Sequence, residues 1–277
     1  MAEYSSVGMK DFRAYLLDLD GVIYRGEQVL PGARELVEWI DATGRKALYL
    51  SNNSIATPDE VAAKLKRLGM PRPEGRVFTA GLAAAQMVAH RFPHGSVYVL
   101  GMPSVEGMAE AAGLRVIRDK DKDEQPDAVL VGLDRTLTYK RLRRALRAIL
   151  GGAAFFAVNR DPRLPMEDGY DPGTGAIATA LEYASGKRAE IAGKPAPGIV
   201  LEALERLGVR PDETLMVGDG LDLDVVAGHA AGITTALVLT GLTSAEQAQA
   251  ATGERKPDLI YPDLTALLRD AQAHARR

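Results

Sequence analysis

The stretch that most constrains this chain is Ala14-Tyr15-Leu16-Leu17-Asp18-Leu19-Asp20-Gly21, an apolar run that ends in two carboxylates and a glycine. An apolar run of this length predicts a short buried strand, and Gly21 predicts a turn directly after it. In an open parallel sheet, ligands bind at the carboxyl ends of the strands, so Asp18 and Asp20 fall where chemistry is expected. Taken alone, the pair is more typical of an acidic turn in solvent than of a site.

The composition is that of an ordinary globular protein with a mixed-charge surface. The 277 residues include 34 Lys and Arg and 37 Asp and Glu, which gives a net charge of -3. Nucleic acid is therefore not an expected partner, since no basic face is indicated. The absence of cysteine excludes thiolate nucleophiles, disulfides and Cys-based zinc sites. No run resembles a signal peptide or a membrane span, so we expect a cytoplasmic protein with no membrane partner.

Strand-like and helix-like segments alternate along almost the whole chain. The predicted strands are Ala14–Leu19, Lys46–Ser51, Val97–Gly101, Ala128–Gly132, Ala154–Val158, Thr214–Gly218 and Thr234–Leu239. The predicted helices include Ala33–Asp41, Pro58–Leu68, Tyr139–Leu150 and Pro197–Leu207. This alternation predicts an α/β fold with a mainly parallel sheet and helices on both faces.

The middle of the chain is predicted to form a domain of its own. Near Thr79-Ala80-Gly81 and again around Ser185–Gly193 the sequence becomes small and polar, which is typical of linkers. The segment between them has enough strand and helix candidates for a compact α/β unit. We therefore expect a discontinuous core domain made of residues 1–80 and 190–277, with an inserted domain over residues 81–189.

Two further segments can contact an anion. Ser51-Asn52-Asn53-Ser54 follows an apolar run, and its hydroxyl, amide and backbone N–H groups can hold phosphate oxygens. The same residue types are typical of an ordinary turn or a helix N-cap. Gly193-Lys194-Pro195 precedes a predicted helix, where a lysine opposes the helix dipole unless an anion lies beside it. A lysine exposed to solvent is the alternative.

A second acidic loop follows another predicted strand. Met216-Val217-Gly218 leads into a loop that contains Asp219 and Asp224. Both carboxylates can reach the edge expected to carry Asp18, and oxygen ligands of this kind suit Mg²⁺. Together the four segments supply acids for a divalent cation, an anion cradle and a lysine. Phosphoryl transfer requires such an inventory, because it depends mainly on positioning and electrostatic stabilisation.

In this order, the four segments resemble the four motifs of the haloacid dehalogenase superfamily. Those motifs are Asp18-Leu19-Asp20-Gly21-Val22-Ile23-Tyr24, Ser51-Asn52-Asn53, Gly193-Lys194-Pro195 and Gly218-Asp219 with Asp224. The long insert between the second and third motifs resembles the second cap type of the superfamily, as in the NagD-like and p-nitrophenyl phosphatase group. Within it, Asn159-Arg160-Asp161-Pro162-Arg163-Leu164-Pro165 and Gly173-Thr174-Gly175 are also similar to that group. The resemblance implies a Rossmann-like core and an α/β cap domain that determines substrate specificity.

The resemblance also implies a magnesium-dependent phosphatase that acts on small phosphorylated metabolites. Asp18 would be the nucleophile that forms an aspartyl-phosphate, and Asp20 would protonate the leaving alcohol. The implied magnesium ligands are Asp18, the backbone carbonyl of Asp20, Asp219 and, through a water, Asp224. The implied phosphate and substrate contacts are Ser51, Asn52, Asn53, Lys194, Asn159, Arg160 and Asp161.

Two other functions are alternatives. A phosphotransferase or mutase would use the same aspartyl-phosphate, although Gly21–Ser51 is too short for the cap that mutases of the superfamily usually carry there. A catalytically silent binding protein is disfavoured by the intact acids and Lys194, and no nucleotide-binding glycine loop is present. Asp20 argues against dehalogenation, because a halide leaving group needs no proton. The identity of the substrate and a homodimer through the cap are left open.

Overall fold

The computed structural model describes residues 8–118, 124–166 and 169–275. In chain order its strands are β1 (Ala14–Leu17), β2 (Tyr24–Arg25), β3 (Gln28–Val29), β4 (Lys46–Ser51), β5 (Val77–Thr79), β6 (Ser96–Leu100), β7 (Arg115–Val116), β8 (Ala128–Val131), β9 (Ala154–Ala157), β10 (Arg163–Met166), β11 (Gly169–Pro172), β12 (Glu190–Ile191), β13 (Thr214–Gly218), β14 (Thr234–Val238) and β15 (Leu259–Tyr261). Its α-helices are α1 (Ala33–Ala42), α2 (Pro58–Arg67), α3 (Ala80–Arg91), α4 (Pro103–Ala111), α5 (Tyr139–Leu150), α6 (Thr174–Ser185), α7 (Gly198–Leu207), α8 (Val226–Ala230), α9 (Ala245–Ala250) and α10 (Leu264–Ala275). Across these described ranges, no helix combines the length and the apolar character that crossing a membrane requires.

The described residues divide into two compact units. The core unit consists of the described residues of Met1–Ser51, Pro58–Phe78 and Lys194–Arg277, and the inserted unit consists of those of Asn52–Thr57 and Thr79–Gly193. The short segment after Ser51 therefore groups with the inserted unit, whereas the predicted ranges place it in the core.

The core unit is built on a six-stranded sheet in the order β15-β14-β13-β1-β4-β5. All four residues of β1 are buried, and this strand pairs in parallel with β13 on one side and with β4 on the other. The connections from β1 to β4 and from β13 to β14 run in opposite directions across the sheet. Because such crossovers are right-handed, they place α1 and α8 on opposite faces. The predicted α/β class is confirmed, and the carboxyl ends of β4, β1 and β13 lie side by side.

The inserted unit has its own five-stranded parallel sheet, in the order β12-β9-β8-β6-β7. Its central strand β8 is entirely buried, as expected for a parallel sheet with both faces covered. The three strands predicted in this region correspond to β6, β8 and β9. The antiparallel hairpin β10–β11 and the two-residue strands β7 and β12 were not predicted.

The boundaries between the two units fall at the two predicted linkers, but part of each linker has regular structure. In Thr79-Ala80-Gly81 the threonine ends β5 and caps α3, where its hydroxyl oxygen accepts a hydrogen bond from the Leu82 N–H at 3.3 Å. A Cβ on the glycine would lie 2.6 Å from Met108 Cε, so the small residue allows α3 to pack closely against α4. The second segment, Ser185–Gly193, contains the end of α6 and the strand β12. At the first linker, therefore, the threonine and the glycine serve a helix cap and a close helix contact.

Candidate active site

Two acid-bearing turns lie next to each other in the core unit. Asp18 is the first residue after β1, and its N–H donates to the Val217 carbonyl at 2.9 Å. Asp219 is the first residue after β13, the parallel neighbour of β1. Since parallel neighbours end at the same edge, the two carboxylates share one end of the sheet.

The turn predicted at Gly21 is present and requires glycine. Gly21 has a φ of +78°, and its N–H donates to the Tyr24 carbonyl at 2.9 Å. A Cβ at this position would lie 2.3 Å from Asp219 Oδ2 and 2.9 Å from Gly241 Cα. Both the backbone conformation and the available space therefore exclude a side chain here.

Lys194 links two of the acids. Its Nζ donates to Asp18 Oδ1 at 2.7 Å, to Asp224 Oδ1 at 2.6 Å and to the Leu50 carbonyl at 3.4 Å. The lysine is almost completely buried. Burial opposes its charge, but the two carboxylates outweigh this effect and raise the pKa of Lys194 above its ordinary value. Lys194 is therefore a positively charged ammonium group held in place. The sequence predicts an anion beside this lysine, and in the structure two protein carboxylates lie there.

Asp224 holds the second acidic turn in shape. It lies in a short π-helical turn, Leu221–Val225, and is buried. Its Oδ2 accepts hydrogen bonds from the N–H groups of Asp219 at 3.2 Å and Gly220 at 3.0 Å. With Lys194 on its other oxygen, Asp224 joins the lysine to the backbone of Asp219.

The carboxyl groups of Asp18, Asp219 and Asp224 form a group that can hold a cation, since one oxygen from each lies within 4.8 Å of the others. Lys194 supplies one positive charge against three negative charges. Burial raises the pKa of Asp18 to about 8; the ammonium opposes this rise and the other two carboxylates add to it. Burial also raises the pKa of Asp219 to about 6, and the negative charge of Asp224 is the second cause of this rise. Oxygen donors with uncompensated negative charge fit a hard divalent cation such as Mg²⁺.

Asp20 follows the end of β1, and Ser51 ends the neighbouring strand β4. Neighbouring protein atoms that displace water raise the pKa of Asp20 above its ordinary range, against the opposing charges of Lys64 and Lys194. Asp20 forms an isolated bridge with Tyr24, and Lys64 Nζ lies 3.8 Å from the centre of the Tyr24 ring. Ser51 is the last residue of β4 and is buried. Both residues therefore lie at the sheet edge that carries the acidic cluster.

In the inserted unit the structure brings together three of the predicted contact residues. Asn159 Nδ2 donates to the Asn52 carbonyl at 2.8 Å, and Asn52 Nδ2 lies 3.5 Å from both carboxylate oxygens of Asp161. A Cβ at Gly193 would lie 2.4 Å from Asn52 Oδ1 and 2.8 Å from the Val158 carbonyl oxygen. The glycine of the third motif thus leaves room for the asparagine of the second.

Asn53 and Arg160 have partners within the inserted unit. Asn53 Oδ1 accepts hydrogen bonds from the N–H groups of Ile55 and Ala56, both at 2.8 Å. This is the turn-forming role that the sequence offers as the alternative for this segment. The Arg160 guanidinium donates to the buried Glu182 at 2.5 Å. A contact between either residue and a substrate stays a prediction.

A further contact to the cluster comes from the loop Thr240–Thr243, which lies outside the four motifs. The Leu242 N–H donates to Asp219 Oδ2 at 2.7 Å, and the Thr243 hydroxyl donates to the Asp219 carbonyl at 2.6 Å. The sequence contains one hint of this loop, because Gly241 follows a buried strand that ends at the same sheet edge as the acids.

Family models match the sequence in two parts. A model described as haloacid dehalogenase-like hydrolase matches residues 15–115, and a second, HAD-hydrolase-like model matches residues 191–267. Among curated proteins, an acid sugar phosphatase of Staphylococcus aureus (strain MRSA252) is 37% identical over 241 residues, which cover 87% of this chain and 92% of that protein.

Solved structures agree with these matches. A 4-nitrophenylphosphatase from Thermotoga maritima is 34% identical, with a TM-score of 0.87 over 95% of this chain and 98% of that chain. A glycerol phosphate phosphatase from Mycobacterium tuberculosis, in complex with magnesium, is 36% identical, with a TM-score of 0.87 over 95% of this chain and 78% of that chain. The resemblance inferred from the four motifs is confirmed, and the chain belongs to subfamily IIA of the haloacid dehalogenase superfamily.

Proposed function

We propose that this phosphate-monoester hydrolase depends on magnesium, acts on small phosphorylated metabolites that include sugar phosphates, and works through an aspartyl-phosphate on Asp18. The observation that carries the proposal is the buried cluster of Asp18, Lys194, Asp219 and Asp224 at one sheet edge. A carboxylate that is oriented by a lysine beside a cation site suits nucleophilic attack on phosphorus. The substrate class is supported by the names of the relatives, an acid sugar phosphatase and a 4-nitrophenylphosphatase.

The reaction has two halves, with residue roles that follow the superfamily. An oxygen of Asp18 attacks phosphorus, the bond from phosphorus to the leaving oxygen breaks, and Asp20 gives that oxygen a proton. Water then attacks the phosphorus of the aspartyl-phosphate while Asp20 takes up a proton. Inorganic phosphate leaves and Asp18 is a carboxylate again. The tight turn at Gly21 supports a shared site for both acids, because it follows them directly and closes next to Asp219.

Lys194 orients the nucleophile through its 2.7 Å hydrogen bond to Asp18 and can also bind a phosphoryl oxygen. The residues that would hold magnesium are Asp18, the backbone carbonyl of Asp20 and Asp219, with Asp224 holding a bound water. Bound there, the ion would offset the repulsion between an anionic nucleophile and an anionic substrate.

The remaining predicted residues are proposed as substrate contacts. Ser51 and Asn52 would bind phosphoryl oxygens through hydroxyl, amide and backbone N–H groups. The residues proposed to contact the rest of the substrate are Asn53, Asn159, Arg160 and Asp161. The grouping of Asn52, Asn159 and Asp161 within the inserted unit supports a shared role.

The test combines one variant with removal of the metal. Asp18→Asn should lower kcat toward p-nitrophenyl phosphate and sugar phosphates by at least about 10³-fold, because an amide cannot replace the attacking carboxylate. Asp222→Asn removes the same charge from an exposed residue of the second acidic turn and should retain activity. EDTA should abolish wild-type activity, and Mg²⁺ should restore it. Substantial turnover by Asp18→Asn would refute the assignment of Asp18 as the nucleophile. Turnover by the wild type in EDTA would refute the dependence on magnesium.

A further inference from the structure

The loop Thr240–Thr243, between β14 and α9, donates hydrogen bonds to both the side chain and the backbone of Asp219. The Leu242 N–H donates to Asp219 Oδ2 at 2.7 Å and the Thr243 hydroxyl donates to the Asp219 carbonyl at 2.6 Å. A donor on the side chain and a second donor on the backbone of the same residue leave it little freedom to rotate. The loop therefore restrains both the backbone and the carboxylate of Asp219.

The same loop is also bonded to the turn that follows β1. The Thr240 hydroxyl donates to the Gly21 carbonyl at 2.6 Å. In the other direction, the Arg25 guanidinium donates to the Thr240 carbonyl at 2.5 Å. The loop is thus tied to the turn that follows Asp18, and it bridges the two acid-bearing turns of the core unit.

The loop packs closely against the Asp219 carboxylate. A Cβ at Gly241 would lie 1.7 Å from Asp219 Oδ2, closer than any side-chain atom can be accommodated. Thr243 is buried, whereas the Leu242 side chain is 75% exposed although its N–H makes the contact to Asp219. The loop therefore contacts Asp219 through the Thr243 hydroxyl, the Leu242 N–H and the backbone at Gly241.

We propose that the loop Thr240–Thr243 is a positioning element that sets the affinity for magnesium by holding Asp219 in register with the β1 turn. The proposal rests on the magnesium-dependent function proposed above. Groups that orient a metal-ligating residue contribute to the affinity of the site, and losing one typically weakens metal binding by about 10- to 100-fold. None of the four loop residues belongs to the four motifs, and none is given a role in the reaction itself.

The test measures magnesium affinity directly, through the rise in melting temperature as Mg²⁺ is added to EDTA-treated protein. Thr243→Val keeps the shape of the side chain but removes the donor, and it should raise the apparent Kd for Mg²⁺ by at least about 10-fold. Thr243→Ser keeps the donor and should restore the wild-type affinity. Thr240→Val, which loses the bond to Gly21, is an independent second variant and should also weaken binding.

The matched control is Thr214→Val. Thr214 is a buried threonine at the opposite end of β13, and its hydroxyl donates to the Arg210 carbonyl at 2.9 Å. This variant should lower the melting temperature without changing magnesium affinity, and the loop variants should recover most of their kcat at saturating magnesium.

Two results would overturn the proposal, and they can be told apart. If the wild type responds to Mg²⁺ and both loop variants bind it as tightly, the loop has no positioning role while the proposed function stands. If the wild type shows no response to Mg²⁺, the magnesium-dependent function fails as well.

Discussion

Without its cation, the protein should be less stable at high pH than a variant that lacks one of the clustered acids. Asp219→Asn removes a negative charge, while its amide oxygen can still accept the Leu242 N–H. In the folded protein the pKa of Asp219 is raised from 3.8 to about 6. Folding therefore favours the protonated carboxyl group, and this contribution to stability is fully present below about pH 4 and lost as the pH rises through about 6.

The size of the effect follows from that shift. One pKa unit corresponds to about 1.4 kcal/mol, so a shift of about two units costs about 3 kcal/mol of unfolding free energy at pH 8. At about 2–4 °C per kcal/mol for a large domain, metal-free Asp219→Asn should melt roughly 6–12 °C above the metal-free wild type. The difference should fall to about half at pH 5, where the folded wild type is largely protonated at this site.

The assay is thermal unfolding in EDTA at pH 5 and pH 8. Asp222→Asn is the control, because it removes the same charge from a side chain that is 72% exposed and is paired with the exposed Arg255. Exposed pairs of this kind contribute little, so this variant should melt close to the wild type. Saturating Mg²⁺ should reverse the order and stabilise the wild type most. If Asp219→Asn melts no higher than Asp222→Asn at pH 8 in EDTA, the buried charge of Asp219 does not destabilise the metal-free protein, and the reasoning is refuted.

Two further substitutions test the turn and the inserted unit. Gly21→Ala should remove most of the activity, because its Cβ would lie 2.3 Å from a buried carboxylate oxygen. Gly26→Ala, also at positive φ but in open space, should cost only about 1 kcal/mol of stability in thermal unfolding; equal loss of kcat in both would assign the effect to backbone strain. Arg160→Ala should change the ranking of KM values among sugar phosphates. Arg188→Ala is the control and should leave the ranking unchanged, because Arg188 pairs with the same Glu182 but its side chain is 81% exposed. An unchanged ranking for Arg160→Ala would place that residue outside the substrate pocket.

The central strands could be predicted because their signal is local. A strand that is buried on both faces of a parallel sheet is a continuous apolar run, and such runs stand out against the polar loops that flank them. Lys46–Ser51 and Thr214–Gly218 are strands with the predicted bounds. The first strand is two residues shorter than predicted, ending at Leu17, so that Asp18 begins the turn.

The edge elements could not be predicted because their own residues carry little of the signal. Glu190 and Ile191 form a two-residue strand only because β9 offers them hydrogen-bond partners. The small residues at Thr79–Gly81 have the composition of a linker, yet they serve a helix cap and a close helix contact. A sequence pattern cannot separate flexibility from tight packing, because both favour the same small side chains.

The site was predictable to the extent that it uses unusual side chains at strand ends. Asp18, Lys194 and Asp224 could be named from the sequence, and the structure joins them by hydrogen bonds of 2.7 and 2.6 Å. The contact from the Leu242 N–H could not be named, since every residue except proline carries that donor. Sequence therefore shows the groups that do chemistry far better than the backbone groups that hold them.

The charge imbalance in the cluster also separates the roles of its acids. Three carboxylates around one ammonium are costly to bury unless a cation joins them. Asp224 already has Lys194 on one oxygen and two backbone N–H groups on the other. Burial raises the pKa of Asp18 to about 8 and that of Asp219 to about 6, and the neighbouring carboxylates add to both rises, so holding both groups ionised is unfavourable. The proposed direct coordination of Mg²⁺ by Asp18 and Asp219, with a water between the ion and Asp224, would offset that cost.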